Sequence, residues 1–188
     1  MTVKATELPG VLIFEPKLFG DGRGYLTELW NARRYQDAGL AETFVQDNLS
    51  RSRKGVLRGL HFQWPSAQGK LVTVLKGEIF DVAVDIRADS PTFRGWIGAT
   101  LSGENHRQIY IPPGFAHGFL VTGDEALVLY KCTDFYNPKD EASLRWDDPE
   151  IGVVWPTNDP ILADKDRTAP LLKSLDPARL PTLEPSRA

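Results

Sequence analysis

Apolar and polar residues alternate through much of the chain. The clearest run sets Phe80, Val82, Val84 and Ile86 on one face against Asp81, Ala83, Asp85 and Arg87 on the other. A period of two belongs to a half-buried strand and not to a helix. Comparable β-type runs cover 10–16, 24–30, 43–49, 55–63, 71–75, 95–101, 108–111, 118–121, 126–133 and 143–146, with turn signals at Lys76-Gly77, Pro112-Pro113-Gly114 and Asn137-Pro138. Many short strands at this spacing predict an all-β sandwich or barrel. Helical pattern is confined to 32–38, which stops before Gly39, and to a turn or two over 165–172, interrupted by Pro170.

Length and composition narrow the picture. With 188 residues the chain fits one domain, 1–188, able to bury its own core without a disulfide or metal to hold it. Within it 175–188, carrying Pro177, Pro181 and Pro185, is expected to be an extended and weakly packed tail. A net charge of −3, with Lys and Arg scattered among Asp and Glu, gives no broad basic face for nucleic acid or an anionic membrane. The apolar runs are far too short to span a bilayer. The single Cys132 cannot form an intramolecular disulfide, and residues 1–14 lack the basic start and apolar run of an export signal, so a cytoplasmic protein is expected.

The candidate chemistry begins at Val56-Leu57-Arg58-Gly59-Leu60-His61-Phe62-Gln63, which puts an arginine and a histidine into a β-type run and is followed by Gly69-Lys70. Together with Tyr130-Lys131-Cys132-Thr133-Asp134-Phe135-Tyr136 and the late Lys165-Asp166, this segment resembles the dTDP-4-dehydrorhamnose 3,5-epimerase family. The resemblance runs from about residue 10 to 172. A basic group, a phenol and a fixed cation are what proton exchange beside a ketone requires: one removes a proton, one returns it, one stabilises the enolate. What the resemblance implies is a cupin-type jelly roll that acts as a homodimer on a dTDP-4-keto-6-deoxysugar without a cofactor. It also implies an N-terminal strand exchanged between subunits, so that residues near Arg23 and Gln46 complete the partner's pocket.

By the same resemblance His61 is the base, and an imidazole suits the task because it ordinarily titrates near neutrality. A carboxylate behind it would fix its tautomer and stabilise the imidazolium. Asp166 is the candidate and Asp81 the competitor. Tyr130 is the general acid on the opposite face of the sugar, while Tyr136, on the same strand face if the strand runs unbroken, stacks on the nucleotide or wedges the sugar. Lys70 is a cation beside the C4 oxygen, and His117 donates to the sugar. Arg23 and Arg58 suit a diphosphate, since guanidinium donors are forked. Glu28, Gln46, Asp47 and Asn48 are expected to hold base and sugar, and Glu141 and Lys165 complete the substrate contacts. Strict alternation puts Arg58 and His61 on opposite faces; a bulge at Gly59 would reconcile them.

Other chemistries are poorly represented. His61, His106 and His117 stand far apart with no His-X-His pair, so no metal is expected. Gly20-Asp21-Gly22-Arg23-Gly24 follows no βαβ pattern and is no dinucleotide loop. Cys132 is expected to be a buried small hydrophobe. The rivals are an epimerase acting at C3 or C5 alone, and a non-catalytic sugar-binding cupin. The latter would be expected to lack the His61 base or the Tyr130 acid. One departure from the family, a segment between His61 and Lys70 about one residue short at Trp64-Pro65-Ser66, concerns loop shape and not chemistry.

Overall fold

The computed structural model describes residues 1–183. It is all-β, a cupin-type jelly roll with a few short helices. Eleven strands follow one another: β1 Thr2–Ala5, β2 Leu12–Glu15, β3 Leu18–Asp21, β4 Gly24–Thr27, β5 Gln46–Arg53, β6 Leu57–Gln63, β7 Lys70–Asp85, β8 Trp96–Ser102, β9 Gln108–Ile111, β10 Phe115–Cys132 and β11 Glu141–Ser143. Helix α1 covers Ala32–Asp37 and α2 covers Asp164–Arg167.

Two long strands organise the rest. β7 and β10 pair antiparallel along nearly their whole length, but the register shifts between Val121 and Ala126 and again between Leu127 and Val128. The kink that results folds one continuous nine-stranded ladder into two layers, a first and a second sheet, while β3 and β4 pair apart as a hairpin. Before the kink, the first half of β7 pairs with β9, and the second half of β10 pairs with β5; β2 and β1 extend this first sheet beyond β9. After it, β7 pairs with β8, while the first half of β10 pairs with β6, which carries β11 at the edge.

Lys76-Gly77 is therefore no turn, as the sequence suggested, but the bend of a continuous strand. Gly77 has φ +79, and a Cβ there would lie 1.7 Å from the Glu125 carbonyl oxygen. Only glycine lets the bulged β10 backbone come so close.

The interior between the sheets is filled by alternate residues of both halves of the long strands, among them Val72, Val74, Ile79, Ala83, Phe115, Phe119, Val121 and Val128. Their opposite faces are covered separately. Tyr35 on α1, with Leu40, packs on Phe14, Leu71 and Tyr110 outside the first sheet. Outside the second sheet, Leu144, Ile151, Trp155 and Leu172 close over Leu57, Leu60, Phe62, Val82, Val84 and Leu120.

Helix α1 starts at an Asn31 cap whose side chain accepts from the Arg34 N–H, and it stops at Gly39, φ +94. Residues 175–183 are held more firmly than their prolines suggest. Leu175 and Leu180 pack against the group outside the second sheet, and the Pro181 carbonyl accepts from Ala88 N. The last five residues of the expected tail lie outside the described residues. No helix among the described residues is long and apolar enough to cross a membrane.

Candidate active site

At β6 the ladder with β10 carries one residue too many. His61 faces His117 and Arg58 faces Phe119, so Gly59 and Leu60 together oppose Gly118. This bulge brings Arg58 and His61 to one face, which plain alternation would not. Gly59 has φ +130, and a Cβ on it would sit 2.5 Å from Gly118 Cα and 2.8 Å from the His117 carbonyl oxygen, so only glycine fits. Leu60 and Phe62 turn into the outer core.

Arg58 and His61 thus border a cavity of about 350 Å³, which Ser50, Lys70, His117, Phe119, Tyr130, Glu141, Lys165 and Asp166 also line. A second chamber of about 220 Å³ shares His61, Lys70, Tyr130 and Glu141 with the first and adds Gln46, Asn48 and Tyr136.

His61 Nε2 donates to Asp166 Oδ1 at 2.6 Å. That direction follows from the partner, since an ionised carboxylate only accepts, and it leaves Nδ1 as the basic atom. Asp166, 2% exposed, is presented by α2, whose Asp166 N–H is held by the Ala163 carbonyl. The competitor Asp81 is engaged elsewhere: its Oδ2 accepts from His117 Nε2 at 2.9 Å, and both residues are buried.

Lys70 opens β7 beside Gly69, whose N–H donates to Thr133 Oγ1. Burial pulls the Lys70 ammonium below its ordinary pKa, a trend opposed by nearby Cys132, Asp81 and Glu141. Burial pushes the Tyr130 phenol up, and Cys132 adds to the effect, so Tyr130 stays protonated well past neutrality.

Tyr136 lies beyond the end of β10, so the shared strand face expected with Tyr130 does not exist. A loop carries it instead, with its N–H donating to Gln46 Oε1 and its phenol donating to Glu141 Oε2 at 3.0 Å. The Glu141 bond raises the Tyr136 phenol. Lys165 Nζ donates to the other Glu141 oxygen at 3.0 Å. Burial raises the Glu141 carboxyl, but the bonds from Lys165 and Tyr136 outweigh it and leave the group below its ordinary value.

The remaining expected residues divide. On β5 the period of two sends Gln46, Asn48, Ser50 and Ser52 inward and leaves Asp47, Leu49, Arg51 and Arg53 outside. Asp47 is therefore not brought to either chamber; it pairs with Lys131 at 2.8 Å on the outer face. Gln46, expected to complete a partner's pocket, lines this chain's own chamber. Arg58 Nε donates to Ser52 Oγ at 3.0 Å.

Arg23 sits on the β3–β4 hairpin, 91% exposed at its side chain and paired with Asp21. Glu28 bonds Asn31 and Arg34. Neither Arg23 nor Glu28 borders the two chambers. The sequence reading missed Ser50 and the 161–163 segment. Parity with Asn48 would have found the first; the second has no chemical signal, being placed by a bridge between Val56 and Ile161. Among the described residues no three His, Cys, Asp or Glu side chains converge as metal ligands would. Cys132 is buried and free.

Comparison with known proteins adds to this geometry. The family model described as dTDP-4-dehydrorhamnose 3,5-epimerase matches residues 5–174. A dTDP-4-dehydrorhamnose 3,5-epimerase from Shigella flexneri is 55% identical over 168 residues, 88% of this chain and 93% of the relative. The crystal structure of dTDP-6-deoxy-D-glucose-3,5-epimerase from Legionella pneumophila, in complex with dTDP-4-keto-L-rhamnose, superposes with a TM-score of 0.94 at 50% identity, covering 97% of this chain and 98% of that one. A 3'-monoepimerase from Streptomyces bikiniensis, in complex with dTDP-quinovose, superposes with a TM-score of 0.88 at 31% identity, over 94% and 91% of the two chains.

Proposed function

The chain belongs to the dTDP-4-dehydrorhamnose 3,5-epimerase family, and on that premise we propose that it converts dTDP-4-dehydro-6-deoxy-D-glucose to dTDP-4-dehydro-L-rhamnose by epimerising C3 and C5. The observation that carries the residue assignment is the convergence of His61, Tyr130 and Lys70 on one cavity. His61 comes from β6 in one sheet and Tyr130 from the half of β10 in the other, so base and acid approach the sugar from opposite walls.

In this reading His61 Nδ1 removes the proton at C3 or C5, and Asp166 stabilises the imidazolium that forms. Charge then gathers on the C4 oxygen, where the Lys70 ammonium stabilises it; one such donor contributes roughly 3 kcal/mol to lowering a barrier. His117, held by Asp81, is a further donor to the sugar. Tyr130 returns a proton to the far face, which inverts the carbon. The ketone is itself the electron sink, so the chemistry needs no nicotinamide or metal.

Identity of 55% to a 3,5-epimerase against 31% to a monoepimerase favours action at both carbons. Arg58 suits the diphosphate, and Gln46, Asn48, Tyr136, Glu141 and Lys165 the sugar and base. Arg23 and Glu28 enter this reading through a homodimer that exchanges the β3–β4 region. Exposure of Phe19, Tyr25 and Leu26 by 51%, 59% and 67% on that hairpin supports a partner surface there. One domain over 1–188, in the cytoplasm with Cys132 reduced, completes the proposal. The test is proton NMR of the ketosugar nucleotide in deuterium oxide. Deuterium is expected at both C3 and C5; label at one carbon alone indicates a monoepimerase, and none at either overturns the reading.

A further inference from the structure

One inward residue of β5 is not used by the chemistry above. Gln46 accepts from Tyr136 N, Asn48 Nδ2 reaches Cys132 Sγ at 3.6 Å, and Ser52 Oγ accepts from Arg58 Nε. Ser50 borders the larger cavity, yet its buried Oγ makes no hydrogen bond within the protein. Leaving a buried hydroxyl unpaired is costly, and most such groups in folded proteins are paired. Both inward neighbours of Ser50 along the strand, Asn48 and Ser52, are already committed.

The ladder indicates which part of the substrate reaches it. Across β10, Asn48 faces Tyr130, Ser50 faces Val128 and Ser52 faces Ala126. Ser50 thus stands midway between the level of Tyr130 and the serine that holds Arg58. In the hexose, C2 stands midway between C1, which carries the diphosphate, and C3, which reacts. With the diphosphate at Arg58 and the reacting carbons between His61 and Tyr130, the group delivered to Ser50 is the C2 hydroxyl. A serine hydroxyl suits that partner because each can donate and accept. Being neutral, it does not compete with Lys70 for the enolate charge.

We propose that Ser50 is a specificity-determining residue that hydrogen-bonds the C2 hydroxyl of the substrate hexose; the inference rests on the epimerase reading. The C2 hydroxyl is unchanged by the reaction, so the bond is made equally in ground and transition states. Its loss should therefore appear in KM and leave kcat unchanged.

The experiment compares wild type and Ser50→Ala on dTDP-4-dehydro-6-deoxy-D-glucose and on its 2-deoxy counterpart, with calorimetric Kd values for both and for dTDP. Wild type is expected to favour the hydroxylated substrate about three- to tenfold, the worth of one neutral hydrogen bond. Ser50→Ala should lose that preference through KM, with kcat and the dTDP Kd unchanged. Ser50→Thr, which keeps the hydroxyl, should retain it.

A preference that survives in Ser50→Ala overturns the proposal. So does a weakened dTDP Kd, which would assign Ser50 to the nucleotide. A lower melting temperature with unaltered kinetics does so too, since it would assign the hydroxyl to an ordered water alone. The preference is also readable as a ratio of Kd values. Wild type that discriminates in binding but exchanges no deuterium would therefore sink the epimerase reading and leave the Ser50 contact standing.

Discussion

Burial lowers the pKa of Lys70, and the sign of that shift has a kinetic consequence. An amine with a depressed pKa loses its proton earlier as pH rises, so in the proposed mechanism the charge that Lys70 brings to the C4 oxygen disappears below the usual lysine range. We predict that the alkaline limb of the kcat/KM profile carries this ionisation. Lys70→Arg should lower activity but remove the limb, because a guanidinium stays charged; an unchanged limb would assign it to another group. A second prediction separates base from acid. His61→Asn should lose about 10²–10⁴ in rate and abolish deuterium exchange at both carbons. Tyr130→Phe should retain exchange on the base's face and lose inversion. Parallel loss of exchange and inversion in Tyr130→Phe would make Tyr130 a positioning group. Motif resemblance named the His61 segment and offered Asp166, with Asp81 as competitor, for its carboxylate; the hydrogen bond from His61 to Asp166, 105 residues away, decides between the two, which spacing along the chain could not. Asp47 went the other way: it stands beside Asn48 in the chain, but neighbours on a strand point to opposite faces.

Alternation is plainest on β5, where one face is covered and the other exposed; β7, β9 and β10 are largely buried on both faces and were legible as apolar runs. What the pattern hid was continuity. Charged Lys76 and conformationally free Gly77 interrupt an apolar run as a turn would, yet the ladder passes through them to join 70–85 into one strand. Likewise 118–121 and 126–133 read as two strands and are parts of β10, Phe115–Cys132. The Gly59 bulge was legible only as a conflict between Arg58 and His61, which any insertion of one residue resolves. This yields a third prediction. Gly59→Ala adds a Cβ 2.5 Å from backbone at φ +130, and should destabilise the protein by at least ~1–3 kcal/mol, read from the denaturant midpoint, while lowering kcat/KM as Arg58 and His61 lose their common face. Gly22→Ala, with nothing within 4 Å of the added carbon, is the control and should leave stability within ~0.5 kcal/mol of wild type. Equal midpoints for the two variants would remove the bulge from the account.

For the whole molecule, the question is whether one chain completes a site. Arg23 and Glu28 do not border the chambers formed within a single chain, whereas the homodimer reading gives each pocket contacts from its neighbour. Mixing Arg23→Ala with His61→Asn protein under subunit exchange should then raise activity well above either parent, since each heterodimer has one pocket with both residues intact. Verified heterodimers without recovery would mean that both residues serve one subunit's pocket or that Arg23 has no ligand role. The jelly roll's wiring has a further consequence, for synthesis. β6 carries His61, but its ladder partners are β10 and β11, and the Asp166 carboxylate comes later still. A chain emerging from the ribosome therefore displays His61 long before its partner strands can flank it. β5 and β6 wait as unpaired edges until residues 115–143 have been made. Such long-range closure is slow and leaves β-edges open to wrong partners. The segments that border the cavity, β5 and β6, are thus open to misassembly during translation until the second half of the chain has been made.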